Sequence, residues 1–283
     1  MERMPKRLFV IDAMAMAFRN FHAFSRQPLT TAKGLPTSAL YGSAIFLLSL
    51  ITEEKPDYLV VATDSKEPTF RHQLYPAYKA NRTEMPQDLA VQMPYFYRLF
   101  EAFGCKTLIK AGQEADDLIG SLVTKLAAPD LHCYIVSGDK DFMQLVSGSV
   151  FLYSPKKGEP AKIIDRAGVQ EKFSCTPEQV IEVLALMGDS SDNVPGVPGI
   201  GEKGAANLIK QFGTLEAIYN HLDDITNARQ KESLSRARDE AFLARKLVTI
   251  NREASIDYDL GDFAFHKPRG DSSVEEKWTP PPH

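Results

Sequence analysis

Leu8-Phe9-Val10-Ile11-Asp12 sets the reading of this chain: four apolar residues run straight into an acid. An unbroken apolar run suits a strand buried on both sides, because alternate side chains reach opposite faces of a sheet. Three more runs share the pattern: Tyr58-Leu59-Val60-Val61, Thr107-Leu108-Ile109 and Cys133-Tyr134-Ile135-Val136. Helix-like stretches separate them, at Thr37 to Ile51, Pro86 to Phe103 and Ala115 to Ala127. This alternation predicts βαβ units, and so an α/β fold with a mainly parallel central sheet flanked by helices. From Thr176 the pattern changes to helices broken by Gly and Pro, with no strand expected before Phe263. The division that follows is a core over 1–173, a helical region over 174–262 and a tail or linker over 263–283. The final stretch, Gly270 to His283 with Trp278, reads as a disordered tail, a linker stub or a vector-derived remnant.

The position of the acids carries the chemistry. Asp12 follows the first strand and Asp64 the second; Glu114, Asp116 and Asp117 open the helix after the third; Asp139 and Asp141 follow the fourth. The carboxyl ends of parallel strands share one edge, where ligands bind, so these side chains are expected to converge on one cleft. Asp189 and Asp192, in Gly188-Asp189-Ser190-Ser191-Asp192-Asn193, can join them. Packed carboxylates repel one another unless protons or cations intervene. An all-oxygen set without His or Cys favours hard ions, Mg²⁺ or Mn²⁺, and a pair of them suits phosphodiester hydrolysis. A single Asp after a strand is more ordinarily a helix cap or turn residue, and Asp116 and Asp117 could simply favour a helix dipole. Repetition at four successive strand ends is what the ordinary reading leaves unexplained.

The formal net charge of −4 looks unsuited to a nucleic-acid partner, but with those nine acids set aside the remainder stands at +5. Between Phe70 and Arg82, the cations Arg71, Lys79 and Arg82 interleave with Tyr75 and Tyr78, as expected beside stacked bases and phosphates. A solvated loop with scattered charges is the alternative. In Val194-Pro195-Gly196-Val197-Pro198-Gly199-Ile200-Gly201-Glu202-Lys203-Gly204 the glycines formally match a dinucleotide fingerprint, but no strand precedes them. A hairpin between helices fits better, with Gly199, Gly201 and Lys203 open to a phosphate backbone. A purely structural Gly/Pro turn is the alternative. The three cysteines are too widely spaced for a zinc site or a disulfide framework. No apolar run is long enough for a membrane span. Arg3, Lys6 and Arg7 ahead of apolar residues mimic a signal peptide, but Asp12 interrupts the stretch, so a cytoplasmic setting is expected.

Taken together, Phe9-Val10-Ile11-Asp12, Phe70-Arg71-His72 through Tyr78-Lys79-Ala80-Asn81-Arg82, Glu114-Ala115-Asp116-Asp117, Ser137-Gly138-Asp139-Lys140-Asp141 and the Gly188 to Gly204 stretch closely resemble the bacterial 5′-3′ exonuclease family. That family includes the N-terminal nuclease domain of DNA polymerase I and stand-alone flap endonucleases. The resemblance covers about Leu8 to Ile250 and implies a PIN-like nuclease fold, a helical arch and a C-terminal helix-three-turn-helix module that binds duplex DNA. It implies that Asp12, Asp64, Glu114 and Asp116 hold the catalytic ion, that Asp139, Asp141, Asp189 and Asp192 hold a second, and that Asp117 supports them. Lys79 and Arg82 match arch cations that engage the scissile phosphate, and the glycine hairpin resembles a site that also binds K⁺. The implied partner is DNA with a 5′ flap or 5′ end, met by a monomer that is fused to, or works with, a DNA polymerase. No polymerase sequence follows in the chain, so a stand-alone enzyme or an excised domain is expected.

Three other readings were weighed. An aspartyl-phosphate phosphatase usually needs a second Asp two positions after the first, where Met14 stands. A non-catalytic structure-specific DNA-binding module would need the hairpin but not the acids. An RNA-cutting relative remains open, since phosphate contacts barely distinguish the sugar.

Overall fold

The structure, a computed structural model, describes residues 4–156 and 159–266. Strands β1 (Lys6–Asp12), β2 (Tyr58–Ala62), β3 (Lys106–Leu108), β4 (Leu131–Val136), β5 (Val150–Lys156) and β6 (Glu159–Ile164) form one sheet in the order β3-β2-β1-β4-β5-β6. All neighbours are parallel except β5 and β6. Alternation along β1 is visible in the packing. Leu8 and Val10 join one core with Val60 and Ile135, whereas Phe9 and Ile11 join another with Leu59 and Val61. Helices α1 (Ala13–Ala23), α2 (Ser38–Glu54) and α5 (Met93–Ala102) cover the Phe9 side; α6 (Ala115–Leu126) covers the Leu8 side.

The sheet grows outward from β1 through β2 to β3, then returns to the other side of β1 with β4. Beyond the carboxyl ends of β1 and β4 the two directions diverge and leave a crevice.

Several expectations need correction. The helix expected over Pro86 to Phe103 is two helices, α4 (Gln87–Ala90) and α5. Gln92 at the break is fully buried, and its Oε1 accepts from Ala39 N at 3.0 Å and Leu40 N at 3.1 Å. It caps α2, whose own Thr37 supplies no side-chain cap. Around Lys79 and Arg82, the cations expected of a helical arch, the chain forms α3 (Phe70–Leu74) and then tight turns; Pro76 follows the end of the helix and Lys79 takes a φ of +57°. The β5–β6 hairpin was not expected, although Val150-Phe151-Leu152-Tyr153 is an apolar run like the other strands.

The C-terminal region is helical: α7 (Arg166–Phe173), α8 (Val180–Met187), α9 (Glu202–Phe212), α10 (Leu215–Asn220), α11 (Ala228–Arg236) and α12 (Arg238–Val248). Leu184, Leu208 and Leu247 share the core of Leu8 and Val10, so the apolar interior runs unbroken from sheet to helices. After α12 a strap lies along α6. Gly120 admits it, for a Cβ there would fall 2.4 Å from Ile250 Cγ2. Asn251 N then donates to Asp117 Oδ1 at 2.8 Å and Ala254 N to Ser121 Oγ at 2.8 Å. Phe263, expected to begin a tail or strand, ends a 3₁₀ turn (Leu260–Phe263) and is 1% exposed; Ala264 bridges Tyr58. Gly270 to His283 lies outside the described residues.

Candidate active site

The acids sit where the strands end. Asp12 closes β1 and caps α1, accepting from Ala15 N at 3.0 Å, while Ser137 Oγ donates to its other oxygen at 3.1 Å. Asp64 accepts from Ala115 N at 2.8 Å and so caps α6 from the neighbouring loop. Asp139 accepts from Asp141 N at 2.9 Å. The capping reading is therefore correct for these residues, and it is also what holds them at the sheet edge. Glu114, Asp116, Asp139, Asp141, Asp189 and Asp192 line one cleft beside the β1–β4 crevice.

Their mutual repulsion is large. Burial, with Asp64 and Asp139 nearby, pushes the Asp12 carboxyl up to about 6 against the pull of the Ala15 N–H and Ser137. Burial and then Asp139 push Asp141 up to about 8. Asp116 is raised well above the usual range by burial and by Asp12, Asp139 and Asp64. Asp141 Oδ1 is buried without a hydrogen-bond partner. An orphaned carboxylate oxygen amid like charges fits a hard cation, which would satisfy it and lower every one of these penalties. Among the described residues, no three Asp, Glu, His or Cys side chains form a ready-made ligand set. The carboxylates are instead turned to N–H groups and ammonium ions, as repulsion between them dictates.

Lys79 is paired with the acids at the edge of the cleft. Its Nζ donates to Glu114 Oε2 at 2.8 Å and lies 3.8 Å from Asp192 Oδ2. Burial alone would raise the Glu114 carboxyl, but Lys79 and Arg71 outweigh it and hold it below its usual range. Arg82 is more exposed and pairs with Asp192 through Nε at 3.0 Å and through Nη2.

Three expected site residues are buried, though Arg71 and Tyr78 still line the cleft. Arg71, expected at the DNA, is 3% exposed; its guanidinium forks onto Asp117 at 2.7 and 2.9 Å and donates to Leu247 O and Thr249 O. Asp117, expected to support the metal cluster, is fully buried in that pair and faces away from the cleft. Tyr78, also expected at the DNA, is 5% exposed, with its hydroxyl shared between Glu114 and Asp192 at 3.1 Å each. Helical and turn geometry, not charge pattern, decided these orientations.

The loop after α8 holds residues the sequence reading passed over. Gly188 has φ +69°, and a Cβ on it would lie 2.6 Å from Gly196 N; a Cβ on Gly196 would lie 2.5 Å from Met187 O. This backbone-to-backbone contact folds the loop so that Asp189 N and Val194 O bond at 3.0 Å, and Asp192 faces Lys79. Asn193 Nδ2 donates to Ala77 O at 2.7 Å and Asn81 Nδ2 to Ser190 O at 2.6 Å, stitching this loop to the Lys79 turn. Positive φ at an Asn and paired glycines were the available signals. Gly188→Ala is expected to displace Asp189 and Asp192 and to slow the reaction these acids support about 10²-fold, read by single-turnover kinetics. An unchanged rate would mean that the loop position is immaterial.

Gly199, Gly201 and Lys203 are exposed on the hairpin between α8 and α9 and do not line the acidic cleft. Gly199 has φ +78°, and neither glycine has an atom within 4 Å of where a Cβ would stand. The hairpin is held by Val197 N donating to Leu186 O at 2.8 Å.

Comparison with known proteins agrees with this geometry. Residues 7–174 match the family model for the 5′-3′ exonuclease N-terminal resolvase-like domain, and residues 175–271 match its C-terminal SAM fold. DNA polymerase I of Bacillus caldotenax is 38% identical over 266 residues, 93% of this chain and 30% of that protein. DNA polymerase I of Pseudomonas aeruginosa is 39% identical over 274 residues, 94% of this chain and 30% of its own length. The chain thus spans about 30% of the length of the curated relatives it matches. A structure of T5 5′-exonuclease with bound divalent zinc ions superposes with a TM-score of 0.67 at 27% identity, covering 87% of this chain and 90% of that one. The catalytic core of Rad2 in complex with a DNA substrate shares the fold (TM-score 0.61, 16% identity, 94% and 84% covered). With both family domains matched in order and the acidic cleft at the shared sheet edge, the chain belongs to the 5′-3′ exonuclease family.

Proposed function

We propose that this chain is a structure-specific 5′-nuclease that hydrolyses DNA phosphodiesters at a 5′ end or 5′ flap, in replication and repair. The observation that carries it is the convergence of Glu114, Asp116, Asp139, Asp141, Asp189 and Asp192 on one cleft, with Lys79 paired to Glu114. The ions proposed are Mg²⁺ or Mn²⁺, with Asp12, Asp64, Glu114 and Asp116 around one and Asp139, Asp141, Asp189 and Asp192 around the other. When bound, they supply Lewis-acid activation of the attacking water and of the leaving oxygen. The chain's own part is to hold these carboxylates in place through cap bonds. Lys79 and Arg82 present cations to the scissile phosphate. Gly199, Gly201 and Lys203 would grip a duplex by its backbone, and carbonyls of that hairpin are proposed to take K⁺. A monomer that is fused to, or works beside, a polymerase in the cytoplasm completes the proposal.

Cleavage of an end-labelled flap in Mg²⁺ and in EDTA tests the reading. Cutting in Mg²⁺ alone is expected, whereas retention of DNA without cutting would leave a binding module. For Lys79→Ala and Arg82→Ala, single-turnover cleavage is expected to fall about 10²-fold or more, since each removes a charge that stabilises the transition state. Unchanged rates would end their proposed role.

The raised carboxyls also predict how the metal-free protein responds to pH. Asp12, Asp116 and Asp141 hold protons more tightly folded than unfolded, so their contribution is full below the unfolded value of 3.8 and is lost as pH rises toward about 8. In EDTA the melting temperature should therefore fall as pH rises across that range. Mg²⁺ at about 100 times its Kd should restore roughly 5–10 °C, and more at the alkaline end. A melting temperature indifferent to Mg²⁺ would count against the ion site itself.

A further inference from the structure

Outside the acidic cleft, two shallow grooves meet on the outer face of α12 and share Lys246. One is lined by Arg238 and Phe242, the other by Phe70 and Leu74. Positions 238, 242 and 246 are four apart, so they form one row along the helix, about 12 Å long. The row alternates cation, aromatic, cation. Arg238 and Lys246 are both exposed and have no ion pair among the described residues, unlike Arg245 on the same helix, which is bound to Glu216 and Glu182. Arg238 lies 5.8 Å from the Phe242 ring and 5.7 Å from Tyr219, while Arg245 reaches the Phe242 ring at 5.0 Å as well as its acids. At the other end Leu74 is 46% exposed, and one face of Phe70 carries the Arg71 guanidinium at 4.6 Å while the ring also borders the groove. Arg71 lines the acidic cleft, so the groove begins one residue beyond its wall.

A solvated helix face pairs its cations with neighbouring acids; this one sets them beside half-exposed rings. The arrangement suits a polyanion with flat apolar groups. Glu182 in the groove is already occupied by Arg245 and Leu215 N, and Asp239 is the one other acid among the lining residues. We propose that this row is a track for single-stranded nucleic acid, namely the unpaired 5′ strand of the substrate after it leaves the cleft past Arg71. Bases stack at Phe70 and Phe242, and phosphates meet Lys246 and Arg238. Stacking on a ring and charge pairing ignore base identity, so the track reads no sequence. The proposal rests on the nuclease reading and places a binding site outside the catalytic cleft.

The test uses two flap substrates with the same duplex, one with a 5′ single strand of about 2 nucleotides and one of about 15. The protein is expected to bind the long flap about tenfold more tightly. The double variant Arg238→Glu/Lys246→Glu, altered only at exposed positions, should lose that advantage and still bind and cut the short flap at the original rate. A milder variant, Phe242→Leu, keeps the groove apolar and should lose part of the advantage. If the long-to-short ratio is unchanged in the double variant, or both substrates weaken equally, the track is wrong. If the unaltered protein cuts neither flap, the nuclease reading fails instead.

Discussion

Asp116→Asn is expected to abolish useful cleavage, with single-turnover rates in Mg²⁺ falling by about 10³-fold or more, and yet to make the metal-free protein melt higher near pH 8. Both effects come from one position. Asp116 opens α6, half-buried, and is raised by burial and by Asp12, Asp139 and Asp64 together. On the proposed assignment the change removes a metal ligand, and a loss of several kcal/mol of charge stabilisation corresponds to three or more decades of rate. The same change relieves repulsion that no cation offsets in EDTA. Folding defects lower both quantities, so opposite signs separate a site residue from a structural one. Cleavage within tenfold of the original, or a lower melt in EDTA, would contradict the assignment.

Arg71→Met should show the reverse: a protein destabilised whether or not Mg²⁺ is present. Arg71 is buried with Asp117, and its remaining donors satisfy Leu247 O and Thr249 O. Loss of the guanidinium strands a buried carboxylate and two carbonyls. Breaking a buried pair in this way costs about 3–5 kcal/mol, or roughly 6–20 °C in Tm for a chain of this size. Arg71→Met with Asp117→Leu removes both charges and is expected to recover much of the loss. Chemical denaturation of the single and double variants decides it. A single variant within 1 kcal/mol of the original would mean that the pair is not what ties α3, α6 and α12 together.

The sheet was legible because Leu8 to Ile11 and its counterparts are continuous apolar runs, as a sheet buried on both faces demands. The placement of Asp12, Asp64, Glu114, Asp116, Asp139 and Asp141 was legible for the same reason: each follows a strand, and parallel topology brings those ends to one edge, whereas Asp189 and Asp192 reach the cleft from the loop after α8. Less visible was the difference between Asp116 and Asp117. Adjacent helical residues point about 100° apart, so one faces the cleft and the other the interior. The burial of Arg71 and Tyr78 was hidden for a related reason. A cation and an aromatic in a basic segment look like a DNA surface until tertiary packing supplies Asp117 and Glu114 as partners. The split at Gln92 could not be read locally, because its cause is the uncapped end of α2 far away in the chain.

The strap over α6 bears on how the protein comes off the ribosome. Asp117, made early, receives the Asn251 N–H from 134 residues further on, and Arg71 waits for Thr249 across 178. The bonds that fasten the helix carrying Asp116 therefore form only after Asn251 has been added. A polypeptide that stops short of it carries the acids without the clasp that holds α6 in place.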